Sequence, residues 1–335
     1  MSFDILSDGH QIIHSKLEDL DQWMEDGFRA RRESFGSELL CYSPTAYPYS
    51  IRDHKQRSSL NFISISVTGE SCSLNCEHCG GRLLKGMEPL VTPESLVQRC
   101  QEIASAGGEG VLISGGSDSR GHVPLRRFAE AIRIVKEDIG LQVVVHTGLV
   151  DVQTARILAN AGVDAAMLDV IGDERVSREV YHISDGPRQM EQSLEILHSA
   201  QVPTVPHILV GLDHGRLCGE VEALDIVSRM SPTAVVIIAL SPVRKTSMED
   251  ITPPAPIDIG RVITIARLGI PKVPLLLGCA RPLGPHKVES DMYAIRSGAN
   301  GIALISQEGV DFAREKGLKP VFMDVCCSLA YQALS

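Results

Sequence analysis

Short apolar runs rich in Val, Ile and Leu recur eight times along the chain, at 61–68, 110–114, 141–145, 164–169, 204–210, 234–240, 273–277 and 301–305. Each is the length of a strand and is bounded by turn-forming residues. Between them lie segments with helical periodicity, at 93–105, 125–136, 152–160, 190–199, 221–229, 257–268 and 290–297. The first of these helices carries its own start signal, with Thr92 at the cap, Pro93 at the first position and Glu94 near the positive end. Alternation of this kind predicts parallel pairing, and strands apolar along their whole length are what a sheet buried on both faces requires. Eight such units predict an α/β fold of the (β/α)8, TIM-barrel type. The barrel is expected over 60–310, with a helical N-terminal arm at 1–59 and a cysteine-bearing C-terminal tail at 311–335 lying over the mouth. In such barrels chemistry sits in the loops that follow the strands, so those loops are where functional residues are sought.

The loop after the first run holds the strongest chemical signal. Residues 70–81 read Glu-Ser-Cys-Ser-Leu-Asn-Cys-Glu-His-Cys-Gly-Gly, which places Cys72, Cys76 and Cys79 in a C-x3-C-x2-C triplet. Three thiolates on one loop suit a 4Fe-4S cluster and leave one of its irons open to a chelating small molecule. A zinc site is the alternative, with His78 as a fourth ligand, although zinc sites of this kind usually carry a second CxxC or HxxxH pair. The remaining composition is compatible with a metalloprotein of the cytoplasm. The first twenty residues lack the basic start and apolar run of an export signal, and no window is apolar enough for a membrane span. Nine cysteines in a cytoplasmic chain point to metal binding or catalysis rather than disulfides. A net charge of −10, with no basic cluster beyond Arg29, Arg31 and Arg32, argues against nucleic acid as a partner.

The triplet in its post-strand loop resembles the signature of the radical S-adenosylmethionine (SAM) superfamily. That resemblance implies a 4Fe-4S cluster whose open iron is chelated by the amino and carboxylate groups of SAM, and one-electron cleavage of SAM to methionine and a 5′-deoxyadenosyl radical. Ser114-Gly115-Gly116-Ser117 is similar to the family's Gly-Gly-Glu segment, which implies backbone contacts to the SAM amino group, with Ser117 where the acid usually stands. Leu168-Asp169-Val170 resembles a segment of biotin synthase whose acid binds the SAM ribose. His207 to Leu212, including Gly211, resembles the segment that packs around adenine. His146, at the tip of the third run, is a further candidate for this cofactor site or a structural histidine.

The wider match, from about Ser71 to Leu283, resembles the biotin synthase group, which includes sulfur-inserting enzymes and maturases. Cys100 and Cys218 fall in helical segments and read as packing residues. Cys279 follows the seventh run, Cys326 and Cys327 are adjacent in the tail, and Cys41 lies in the arm. Together these four could supply thiolates to a second, auxiliary 4Fe-4S cluster, which implies sulfur insertion; unrelated reduced cysteines are the alternative. Arg281, two residues after Cys279, could hold a carboxylate or SAM. Among named families the chain resembles the two-component lipoyl synthase subunits of archaea and some bacteria. That likeness implies an octanoyl group on a carrier-protein lysine (a lipoyl domain or glycine cleavage H protein) as substrate. It also implies a paralogous partner subunit and a reductant such as ferredoxin or flavodoxin. Two other readings stay open from sequence: a maturase or isomerase that donates no sulfur, and a metal-binding protein without radical chemistry.

Overall fold

The structure, a computed structural model, describes residues 3–45 and 48–334. All eight expected strands occur, and in sequence order they become β2 (Phe62–Ser66), β4 (Gly110–Ser114), β5 (Gln142–His146), β6 (Ala165–Asp169), β7 (Thr204–Val210), β8 (Val235–Ala239), β9 (Leu275–Leu277) and β10 (Gly301–Ala303). Three further strands join them: β1 (Glu38–Tyr42), β3 (Glu88–Pro89) and β11 (Lys319–Met323). The sheet is parallel throughout and runs β11-β1-β10-β9-β8-β7-β6-β5-β4-β2-β3. It curls on itself, and among the described residues no strand-to-strand ladder joins its ends. The seam is spanned instead by bonds from Thr45 N to Phe62 O (3.3 Å), from Phe62 N to Thr45 Oγ1 (3.2 Å) and from Asn61 Nδ2 to Asp324 O (2.8 Å).

Side chains alternate between the two faces of the curled sheet, as the two-residue period of a strand demands. Val143, Val145, Val235, Ile237, Leu275 and Leu277 face outward and pack with the surrounding helices, whereas Val144, Val236 and Leu276 face the inside of the curl. The helix over Pro93–Ser105 begins as its sequence predicts, with Thr92 and Ser95 capping each other's backbone N–H. Two helices of the arm, Ile5–His14 and Leu17–Phe35, pack against the helix Pro256–Gly269 on the outside of the late strands.

The tail does not cover the mouth as expected. After β11 it turns inward, and Val325, Cys327, Leu329 and Ala330 are buried among the inward-facing residues Phe62, Val144, Ala165, Val205 and Leu276. Tyr331 donates to Asp164 O (2.7 Å) and Gln142 Nε2 donates to Gln332 (2.9 Å), so the tail ends where β5 and β6 begin. The physical reason lies in the lining. Ala165, Ala234 and Ala303 point into the curl and cannot fill it, so an apolar segment of the chain closes the N-terminal end and supplies the missing packing. Asp324 latches this turn: its buried carboxylate accepts from His54 Nε2 (2.7 Å), Ser43 Oγ (2.5 Å) and the Arg57 backbone N–H (3.1 Å).

Candidate active site

The triplet loop bends around the C-terminal end of β2. Asn75, Gly80 and Gly81 adopt left-handed backbone (φ +46°, +50° and +68°), a region that glycine enters freely and asparagine tolerates, and this turns the three cysteines toward one space. Neighbouring loops hold the turn in place. Ser73 N donates to Ser117 O (2.7 Å), Glu77 N donates to Val180 O (2.9 Å), and His182 bridges Leu74 O (2.7 Å) and Glu77 (3.0 Å). Gly116 lies directly under the loop, where an added Cβ would come within 2.0 Å of Ser71 O and 2.6 Å of Cys72 Cα. Its N–H donates to Thr68 Oγ1 (2.7 Å). Close packing of the loop therefore explains why glycine stands at this position, whatever else its backbone binds.

Cys72, Cys76 and Cys79 line a cleft that opens to solvent. Cys76 Sγ donates to Tyr181 O (3.8 Å); its closeness to Cys79 pushes Cys76 up and, with help from His78, lowers Cys79 to about 4. One thiolate is thus already favoured. A donor set of three thiols is suited to a soft, sulfur-loving metal group. His78 stacks on Tyr181 (4.8 Å between centroids, 20° between planes), and its Nδ1 is buried without a hydrogen-bond partner among the described residues. Because ligand atoms of Cys76, His78 and Cys79 lie within 4.8 Å of one another, geometry alone also accommodates a single metal ion.

Ser114, Gly115, Gly116, His146 and Asp169 line the same cleft. These expected cofactor residues are thus brought together. Ser114 Oγ donates to His146 O (3.0 Å). Asp169 accepts from the Tyr181 hydroxyl (2.8 Å) and faces His146 Nε2 at 3.5 Å. Burial by itself would raise the Asp169 carboxyl, but His146, then His207 and Tyr181, outweigh it and hold the group below the ordinary carboxylate range. His146 is depressed by burial and raised by Asp169, with a net rise, so the carboxylate favours the charged form of the imidazole beside it. Each carboxylate oxygen keeps lone pairs free to accept from vicinal hydroxyls.

His207 and Gly211 do not border the cleft. His207 sits edge-on behind His146 (5.7 Å), and burial lowers it to about 4. Gly211 is packed against Pro254 and donates its N–H to Glu220 (2.8 Å). Tyr181, which ties the triplet loop to Asp169 through His78, was not identified from sequence. It lies in an irregular helical turn, Ser177–Tyr181, and no spacing pattern marks it.

Three of the four remaining candidate cysteines converge inside the curl. Cys279 and Cys326 pack against the same inward cluster that contains Cys327. The adjacent Cys327 lowers Cys326 to about 7, while burial and Cys326 raise Cys279. Cys279 and Cys326 are enclosed by protein yet keep accessible surface, as do the inward-facing His146, His207 and Ile238. These side chains border open space within the curl. His146 thus faces both the cleft and this inner chamber, and its charge reaches Cys326. Cys41 does not join the group: on β1 it alternates with the inward Leu40 and Tyr42 and faces the helices, where burial raises its thiol to about 12. Arg281 is likewise committed elsewhere, to Asp291 (2.7 Å) and Gly278 O, with its side chain sealed from solvent.

Residues 66–215 match the family model described as "Radical SAM superfamily". The biotin synthase of Buchnera aphidicola subsp. Acyrthosiphon pisum (strain APS) is 25% identical over 266 residues, covering 75% of this chain and 74% of that one. The biotin synthase of Synechococcus sp. (strain JA-3-3Ab) is 27% identical over 231 residues, covering 65% and 71%. Among solved structures, methylornithine synthase (PylB) aligns with a TM-score of 0.68 at 17% identity over 100% of this chain and 97% of that one. The [FeFe]-hydrogenase maturase HydG aligns with a TM-score of 0.67 at 14% identity, covering 96% and 72%. At these identities the two structures bear on fold alone, and they share this curled parallel sheet. With the cysteine loop at the mouth of such a sheet, residues 66–215 form a domain of the radical SAM superfamily. Within it, the chain is similar to enzymes of the biotin synthase group, and Cys72, Cys76 and Cys79 are the residues that would hold the 4Fe-4S cluster. No helix among the described residues is long and apolar enough to cross a membrane.

Proposed function

We propose that this enzyme inserts sulfur into an unactivated C–H bond of an octanoyl chain amide-linked to a carrier-protein lysine, acting as one component of a two-protein lipoyl synthase in the cytoplasm. The observation that carries this reading is the inner chamber, where Cys279, Cys326 and Cys327 meet beneath the SAM cleft. Three thiols enclosed inside the curl are suited to a second iron-sulfur cluster. When bound, the cleft cluster with SAM would supply a hydrogen-abstracting radical, and the chamber cluster would supply sulfide.

The residues of this chain have distinct tasks in that scheme. Cys72, Cys76 and Cys79 would hold the first group at the mouth; Asp169, fixed by Tyr181 and His146, would accept from the ribose hydroxyls of SAM. The cleft wall favours an apolar chain over a small carboxylate substrate. Leu74, Leu83, Leu84, Met87, Leu149 and Met190 line it, and no Lys or Arg is among its lining residues. An aliphatic chain loses nothing by entering such a wall, whereas a free carboxylate would be desolvated without a cation. The octanoylated lipoyl domain or H protein, the paralogous subunit and a ferredoxin- or flavodoxin-like reductant are the partners this reading requires.

Mass analysis of an octanoyl-lysyl peptide after anaerobic turnover with SAM and reductant, with and without the candidate partner subunit, tests it. Sulfur gained by the peptide supports the proposal. SAM cleavage without sulfur in any product, retained in a Cys326→Ala/Cys327→Ala variant, replaces it with a rearrangement or maturation reaction.

A further inference from the structure

Tyr42 lies on β1 with its side chain on the inward face, in the same buried cluster as Cys327. It is 1% exposed, and its hydroxyl has no hydrogen-bond partner among the described residues. Buried tyrosine hydroxyls are normally paired, since an unpaired one loses its bonds to water and gains nothing in return. Its apolar neighbours, Leu40, Phe62 and Leu276, would accept a phenylalanine equally well. The ionisable groups that act on the phenol through space are, in order, Cys327, Cys326 and Cys41. Cys41 is the adjacent residue facing away, so within the curl the phenol shares its cluster with the paired cysteines of the tail.

We propose that Tyr42 is a positioning residue of the inner chamber whose hydroxyl donates a hydrogen bond to an anionic sulfur of the metal-sulfide group held by Cys279, Cys326 and Cys327. This rests on the reading of the chamber as a second cluster site. Thiolate and sulfide sulfurs carry the negative charge of such a group and are acceptors for a phenol. The hydroxyl left orphaned by the polypeptide then has its partner in the ligand. Donation of this kind stabilises the more negative, reduced form of the group and raises its reduction potential.

The test uses full-length protein in a Cys72→Ala/Cys76→Ala/Cys79→Ala background, so that iron and sulfide supplied anaerobically can fill only the chamber. Tyr42→Phe is compared with Tyr42 for iron and sulfide per chain, midpoint potential, and melting temperature before loading. The expected result is unchanged iron and sulfide, a lower potential, and an unloaded melting temperature equal to or above that of the parent. Full loading with an unchanged potential overturns the role of Tyr42 while leaving the chamber cluster intact. A lower melting temperature in the unloaded Tyr42→Phe protein also overturns it, because the hydroxyl would then have a partner in the polypeptide. If the background protein takes up no iron, the cluster reading and the Tyr42 inference fall together.

Discussion

Replacing Gly116 by alanine perturbs the site through a single methyl group. Its Cβ would stand 2.0 Å from Ser71 O and 2.6 Å from both Cα and Cβ of Cys72. Non-bonded heavy atoms rest at about 3.5 Å or more, so the Ser71-Cys72 backbone must retreat by roughly 1 Å. Gly116 does not need left-handed backbone, so the contact alone is responsible. Overpacking of this sort costs about 1–3 kcal/mol in stability. Displacement of a reacting group by about 1 Å can cost about 10²-fold in rate. Gly115→Ala is the internal control, because its Cβ meets the Thr68 side chain at 3.0 and 3.1 Å and a small adjustment relieves it. Iron per chain after reconstitution and 5′-deoxyadenosine formed from SAM are the readouts. Gly116→Ala should lose iron or fall about 10²-fold in deoxyadenosine formation, with Gly115→Ala much less affected. Full iron and parental turnover in Gly116→Ala would refute the packing of the triplet loop described above.

Further outcomes follow from other contacts. Tyr181→Phe removes a hydrogen bond to a half-buried carboxylate, Asp169, and should lower stability by about 1.5 kcal/mol in denaturant titrations; an unchanged midpoint removes Tyr181 from the site. Burial alone would raise the carboxyl of Asp324, but hydrogen bonds from Ser43 and His54 outweigh it and lower the group. A depressed carboxyl stabilises the fold above its unfolded pKa of about 3.9 and loses that contribution as pH falls through the folded value. The stability difference between the parent and Asp324→Asn should therefore be full near pH 6 and shrink below about pH 4; a difference that grows on acidification contradicts the latch. Cys41→Ala should retain the iron and sulfide of the parent protein, because Cys41 faces the helices; loss of iron from this variant would return Cys41 to the chamber.

The eight strands were legible because each is an apolar run buried on both faces, a pattern that depends only on local sequence. The others were not. β3 is two residues long, and β11 is an edge strand with Lys319 and Val321 exposed, so neither carries a continuous apolar signal. The destination of the tail depends on volume left inside the curl by Ala165, Ala234 and Ala303, which only the assembled sheet defines. In the same way, the triplet was readable because its spacing is local, and Ser114, Gly115, Gly116, His146 and Asp169 because they stand at or just after strand ends. His207 lies within β7, short of its end, and Gly211 is taken up by Pro254 and Glu220, so position after a strand did not bring them to the cleft. The place of Cys41 follows from alternation once β1 is known, since Leu40 and Tyr42 flank it on the other face.

The most direct measurement is anaerobic incubation of the reconstituted protein with SAM and a strong one-electron reductant, followed by quantitation of 5′-deoxyadenosine and methionine. The site described here predicts both products, in equal amounts, from the parent protein and neither from Cys76→Ala. A parent protein that holds its cluster and SAM yet forms no deoxyadenosine would contradict it.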